Sequence, residues 1–352
     1  MNFKKKVGLI ALTIILVVLA TACSKNKPEG AVATVNGEPI SEEIFEAYYR
    51  IQRDKVVMYY GEEALEQKLD PSSDMTQGEM LRRNILDQLA VNEAMVQEAK
   101  KANLEATDAE IEEEVNEILN EVGEEEFNNM LESLKISKET YMNMIKDTKT
   151  VDNYVQKKLD EFDVSDDEVK SYYEENKDDL KKVKASHILV ETEEDAKNVI
   201  KRLENGEDFE EVAKEVSLDP GSAVSGGDVG FFSRGMMVPE FEEYAFSGAI
   251  GEVSEPVESQ YGFHIIKVTE VKDDLDSAKE EITQLIKQRK LTEYIEDLSK
   301  KSVVRTFVDF KEEPESIKNE IEENKAETEN NTEVEDKNEN PEENKDESSG
   351  GK

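Results

Sequence analysis

Five glycines, Gly221, Gly226, Gly227, Gly230 and Gly235, fall within fifteen residues of a chain that holds seventeen in 352. Such density calls for repeated positive φ or close backbone approach, which helices and regular strands do not supply. The segment is therefore a tightly turned region between two apolar, β-branched runs, Ala185–Val190 and Gln260–Val268, that read as buried strands. Each run carries one of the protein's two histidines, His187 and His264. Neighbouring strands would let one imidazole satisfy the other. These residues alone leave open whether the pair is a core feature or a working one. The glycine segment is no phosphate cradle, because no Lys-Ser/Thr follows it and no strand-GxGxxG-helix context surrounds it. Phe231, Phe232, Met236, Met237, Phe241, Phe246 and Phe263 supply either ordinary core or the lining of a small apolar pocket.

Four linked motifs carry a resemblance: Ser186–Leu189, Gly226–Gly235, Val238–Phe241 and Gln260–Ile266. In order, spacing and identity over about ninety residues they resemble a parvulin-type peptidyl-prolyl isomerase. The resemblance implies an α+β domain, a small antiparallel sheet with surrounding helices. The pattern is consistent with strands over 183–190, 253–258 and 262–271 and helices over 194–205, 208–216 and 239–246. By resemblance the catalytic residues fall on His187, Asp219 and His264. The proline-ring pocket falls on Val229, Met237 and Phe241, with Tyr261 at its mouth. Parvulins carry Cys or Asp at the place of Asp219, so this chain is of the Asp variety. No cofactor or metal is implied. Relatives selective for phosphoserine-proline need basic residues just after the first strand. Here Glu191-Thr-Glu-Glu-Asp195 stands there, and phosphate would be repelled.

The chain opens with Lys4–Lys6, an apolar run Val7–Ala22 and Cys23, its sole cysteine. A basic start, a short apolar stretch and small residues before the break describe an export signal. Sixteen apolar residues are marginal for a membrane span. The arrangement resembles a lipoprotein signal over residues 1–22, with Cys23 lipidated and 23–30 a tether. It departs from that pattern at Ala20, where Leu is usual. One thiol cannot form an internal disulfide, so stability must come from packing.

Formal net charge is −40, and loss of Lys4–Lys6 with the signal would leave −43. Nucleic acid and anionic lipid would both repel such a chain, whereas basic segments of unfolded polypeptide would be drawn to it. Residues 31–180 read as a mainly helical domain. Ala31–Val35 is a strand closed by an Asn36–Gly37 turn, and Ser41 caps the helix that follows. A long amphipathic helix runs from 75 to 102, and capping boxes stand at Thr107–Glu110 and Ser165–Glu168. Met58, Tyr59, Tyr60, Met142 and Met144 supply either core or a groove for unfolded chains. Residues 273–310 contain a helix and a strand at 303–307. From Lys311 the composition becomes Glu, Asn, Lys, Asp and Ser without aromatics, which predicts a disordered acidic tail over 311–352.

The opening string Val35–Ser41 resembles the chaperone domain that precedes parvulin modules in exported foldases. The whole chain is similar to foldase lipoproteins of the PrsA type. That implies a parvulin domain (181–272) inserted in a helical chaperone domain, with 273–310 packing back on the latter. It also implies anchorage at the outer face of the cytoplasmic membrane through Cys23. The partners would be unfolded or partly folded secreted proteins with X-Pro bonds, and monomer and homodimer both stay open. The alternative function is a lipid-anchored holdase whose parvulin domain is idle. A solute-binding lipoprotein is excluded by the lack of alternating βαβ units in the N-terminal half.

Overall fold

A computed structural model describes residues 27–322 of the chain. The expected signal over 1–22, Cys23 and the chain beyond 322 lie outside the described residues. In chain order the elements begin with β1 (Ala31–Val35), β2 (Glu38–Ser41), α1 (Glu42–Tyr60), α2 (Gln77–Lys101), α3 (Asp108–Val122), α4 (Glu124–Leu134) and α5 (Lys138–Glu161). There follow α6 (Asp166–Glu175), α7 (Lys177–Leu180), β3 (Lys182–Val190), α8 (Glu193–Glu204), α9 (Phe209–Val216), β4 (Asp228–Phe232) and α10 (Pro239–Ser247). The last elements are β5 (Val257–Ser259), β6 (Gly262–Lys272), α11 (Leu275–Lys301) and β7 (Val304–Thr306). Two compact units result: unit 1 comprises Met1–Lys157 and Glu293–Lys352, unit 2 Lys158–Thr292. Residues 158–180 and 273–292 thus group with the His-bearing sheet, because Val169, Tyr173 and Leu180 pack against Ala278, Ile282 and Ile286 of α11.

Unit 1 is helical around a sheet of order β2-β1-β7. Asn36 and Gly37 both take positive φ, 53° and 103°, as a two-residue hairpin turn requires. Residues 38–41, expected to lead straight into a helix, form strand β2 instead, burying Ile40 opposite Ala33. Ser41 stands at the N-cap of α1 without a side-chain cap bond, whereas Thr107 and Ser165 close full capping boxes. Val32, Val35, Phe45, Tyr49, Leu86 and Ala90 form the core.

The expected tail from Lys311 needs correction. Residues 315–322 are helical, and Phe310 and Ile317 are buried in the unit 1 core. Residues 311–322 are poor in apolar side chains, but Ile317 is buried in that core, Ile321 packs against it, and charged partners hold much of the rest. Arg82 donates from Nε to the Phe310 carbonyl at 2.9 Å and pairs with Glu313 at 2.9 Å. Tyr49 donates to Glu313 at 2.6 Å, and Arg50 pairs with Glu320 at 3.3 Å. Met58, Tyr59 and Tyr60 lie exposed at the end of α1, while Met142 and Met144 are half-buried against the α3–α5 helices.

Unit 2 holds an antiparallel sheet of order β4-β3-β6-β5, the α+β arrangement expected. Its two faces follow strand alternation. On β3, Val183 and Ala185 share one face with Ile266 and Val268 of β6, under Phe232, Phe241 and Phe246. Ile188, Val190 and Ile265 face the other way, onto α8 and α9. Among the described residues, no helix is long and apolar enough to cross a membrane.

Candidate active site

Register brings the imidazoles together. In the β3–β6 ladder His187 lies opposite Ile266, and His264 lies opposite Leu189. The histidines are diagonal neighbours on one face, within reach of each other. Their rings stack at 5.3 Å between centroids, with Nδ1 to Nδ1 at 3.1 Å. Both are buried. Their face is the one covered by α10, so Phe241 meets each imidazole edge-on, at 5.4 and 5.5 Å. Pro239 at the first turn of α10 sets the helix start that delivers Phe241 there.

The glycine segment supplies the carboxylate. Gly227 takes φ +83°, and a Cβ there would meet the His187 carbonyl oxygen at 2.2 Å. Its own carbonyl accepts the His187 N–H at 2.9 Å, so only glycine allows this approach. Leu218 N–H donates to the Leu189 carbonyl at 2.8 Å, pinning the start of the loop beside β3. Asp219 then reaches His187 Nε2 with Oδ2 at 2.8 Å, and Ser222 Oγ donates to the same oxygen at 2.5 Å. The Gly221 N–H donates to Oδ1 at 3.0 Å. Partial burial pushes the Asp219 pKa up. The bonds from Ser222, His187 and Gly221 outweigh this and hold it below the usual carboxylate value.

At the other end, Ser259 Oγ lies 2.8 Å from His264 Nε2. Burial, with His187 beside it, pulls the His264 pKa down to about 4. A neutral imidazole has one donor and one acceptor nitrogen. One assignment satisfies the three ring contacts, with the Gly262 carbonyl at 3.3 Å a second, longer acceptor for the Ser259 hydroxyl. Ser259 donates to His264 Nε2, His264 Nδ1 donates to His187 Nδ1, and His187 Nε2 donates to the ionised Asp219. The chain of bonds fixes both tautomers and runs one way, from hydroxyl to carboxylate.

Among the residues singled out by sequence, His187, His264 and Phe241 are in mutual contact, and Asp219 joins them through His187. Val229 and Met237 pack into the same apolar cluster as Phe241. Tyr261 stands apart: its side chain is 63% exposed, and only its backbone N–H, donated to Ser259 Oγ at 3.1 Å, ties it to the network. Sequence reasoning missed Ser222 and Ser259. The signal for Ser222 was its place one helical turn after Asp219. For Ser259 it was a place across a tight hairpin from His264, visible only with the β5–β6 pairing known. Among the described residues no cluster of three His, Cys, Asp or Glu is placed to hold a metal ion.

Comparison with known proteins identifies the family. Residues 171–272 match the PPIC-type PPIASE domain family, and residues 2–155 the SurA-like N-terminal domain family. The chain is 34% identical over 323 residues to the foldase protein PrsA of Caldanaerobacter subterraneus subsp. tengcongensis, covering 85% of this chain and 99% of that one. The chain belongs to the PrsA foldase family. The PrsA of Halalkalibacterium halodurans is 37% identical over 271 residues, 75% of this chain and 72% of that one. A solved PrsA from Bacillus anthracis shares 29% identity over 61% of this chain and 95% of its own, with a TM-score of 0.29. Like its family, the chain is a foldase with a parvulin-type peptidyl-prolyl isomerase domain.

Proposed function

We propose that the protein is anchored by a lipid on Cys23 at the outer face of the cytoplasmic membrane, and that it isomerises X-Pro bonds of secreted proteins folding there after export. The observation that carries the catalytic half is the bonded chain Ser259–His264–His187–Asp219 lying edge-on against Phe241. Residues 181–272 form the catalytic domain in this reading. The anchor rests on the lysines, apolar run and cysteine at the start of the chain, and the client class on the family's foldase name and on the net charge of −40.

An X-Pro bond resists rotation because resonance gives C–N partial double-bond character, with a barrier of roughly 18–20 kcal/mol. No nucleophile is required; the enzyme has to bind the twisted amide better than the planar one. Phe241, Met237 and Val229 hold the proline ring and exclude water that favours the polar planar form. Asp219, ionised, sits at the carbonyl side. A carboxylate repels the planar amide's partly negative oxygen more than the twisted amide's, so it selects the twisted state. The histidine pair keeps Asp219 in place, and Tyr261 closes over the bound chain. A thousandfold acceleration needs only about 4 kcal/mol of such preference. Glu191 to Asp195 turn phosphoserine-proline away.

The test is cis/trans exchange of an X-Pro peptide with the full chain. Phe241→Ala is expected to lower kcat/KM by at least tenfold and Asp219→Ala by several-fold. Variants as fast as the parent would remove these residues from the site, and a parent no faster than buffer would leave only the holdase reading. The anchor has its own readout: Cys23→Ala should abolish labelling by a fatty-acid probe.

A further inference from the structure

Within unit 1, a cleft of about 270 Å³ opens between α1, α3 and α5. Its floor is apolar: Tyr48, Ile118, Tyr141, Met144 and Ile145. Ile118, Tyr141 and Met144 also pack on the cluster around Phe127 and Leu131, so the floor is backed by core rather than by a mobile surface. This volume accepts one large apolar side chain with part of a neighbour, and the thioether of Met144 adapts to differing shapes.

The polar groups here differ in kind from those around His187. The hydroxyls of Tyr48 and Tyr141 and the carboxylate of Asp152, all lining the cleft, make no hydrogen bond or ion pair with any other described residue. Burial, with Asp147 and Tyr141 nearby, pushes the Tyr48 hydroxyl pKa up, and burial does the same to Tyr141, with Glu114 adding to it. Burial also raises Asp152 against the pull of Lys149, with Glu114 adding to the rise. The cations around the cleft are partly spoken for: Lys149 pairs with Glu114 at 2.5 Å and Lys146 with Glu105 at 3.9 Å. A partly covered carboxylate and two hydroxyls without partners leave this rim able to reward a cation and backbone N–H groups arriving from outside.

We propose that this cleft seats unfolded polypeptide, taking one apolar side chain on the Tyr48–Met144 floor and an adjacent Lys or Arg against Asp152, with no need for proline. The class of partner rests on the foldase reading; the seat itself rests on cleft and charge. The interface is small, so binding is weak and quickly reversed, which suits a site that must release clients. Because the charged half of the contact is near solvent, salt weakens it.

The experiment measures anisotropy of a labelled, unstructured, proline-free peptide carrying Lys-Phe and Lys-Leu pairs, titrated with the full chain. A counterpart with Glu for each Lys is the reference. The Lys peptide should bind at least tenfold more tightly than the Glu peptide, and the difference should shrink several-fold as salt rises to about 0.5 M. Asp152→Lys and Met144→Glu should each weaken it about tenfold while leaving X-Pro exchange at the parent rate. Thr148→Cys, on the exposed rim, carries a photo-crosslinker in a Cys23→Ser chain and should capture the Lys peptide in competition with unlabelled peptide. Equal binding of the two peptides, parent-like binding by both variants, or no capture would overturn the proposal. Loss of X-Pro exchange with binding intact would sink the isomerase site and leave this one standing.

Discussion

Unit 2 buries two imidazoles, whereas unit 1 buries three arginines, and their partners come from different distances along the chain. His187 and His264 are satisfied by Asp219, Ser222 and Ser259, all within the contiguous stretch 158–292. Arg50 and Arg82 of α1 and α2 reach Glu320 and Glu313, more than two hundred residues away in sequence; Arg53 pairs locally with Glu62. A buried imidazole held neutral, as His264 is, adds little desolvation cost. A buried guanidinium is costly unless paired, and losing one partner strands a charge. Unit 2 therefore draws its site from one contiguous stretch, through sheet register, the glycine loop and α10, while unit 1 depends on residues 313–320.

Ending the chain at Lys311 breaks the comparison most severely. The cut removes Glu313, Ser316 and Glu320, and it takes Ile317 from the core. Stranding buried arginines costs about 3–5 kcal/mol for each pair broken, and losing a buried isoleucine adds roughly 1.5–3 kcal/mol. Hydrogen exchange should show protection falling in α1 and α2 by at least that first amount, with β3 and β6 unchanged. Parent-like protection in α1 would mean that the segment is surface decoration and that the arginines find other partners.

The units should also part company in acid. Unfolded His264 titrates near 6.5, and the folded ring near 4. Between those values the unfolded chain binds a proton that the folded one refuses, so unit 2 loses stability as pH falls through this window, by on the order of 3 kcal/mol. Asp219, held below its usual value, extends the loss further down. In unit 1, burial lifts Asp87 to about 6 and raises Glu93 and Asp147. There the folded state takes up protons first, and these groups stabilise it as pH falls. Urea midpoints read from the methyl signals of Ile188 and Ile266, against those of Ile85 and Leu86, should move in opposite directions from pH 6.5 to 4.5. Parallel movement would refute the neutral-pair assignment.

Most of unit 2 was legible because its signals are local. Alternating β-branched runs gave β3 and β6, and the glycines announced a loop whose close approach to His187 proved to need Gly227. Thr107 and Ser165 were readable as caps for the same reason. What stayed hidden depends on contacts distant in sequence. Nothing in Glu313 or Glu320 distinguishes them from the other acids of a Glu-rich tail; only Arg82 and Arg50, brought near by folding, make them structural. Strand β2 was missed because Glu38–Ser41 has no strand pattern of its own and gains one from the Asn36–Gly37 hairpin and Ile40. Ser259 was invisible until β5 paired with β6, which is also why its contribution can be tested separately.

Ser259→Ala is the mildest probe of the neutral network. Removing the hydroxyl deprives His264 Nε2 of its donor while leaving Asp219, Ser222 and His187 in contact. A lost neutral hydrogen bond costs about 1 kcal/mol, and kcat/KM should fall by less than about fivefold, since Ser259 acts on the substrate only through the imidazoles. A purely structural role would predict the stability loss and nothing more. The positioning role predicts a second effect. A hydroxyl donating to Nε2 favours the neutral ring, so without it the folded pKa rises from about 4 toward the unfolded value. The acid-induced loss of unit 2 stability should then become shallower in Ser259→Ala than in the parent. An unchanged slope would show that Ser259 does not set the titration of His264 and that its role is structural alone.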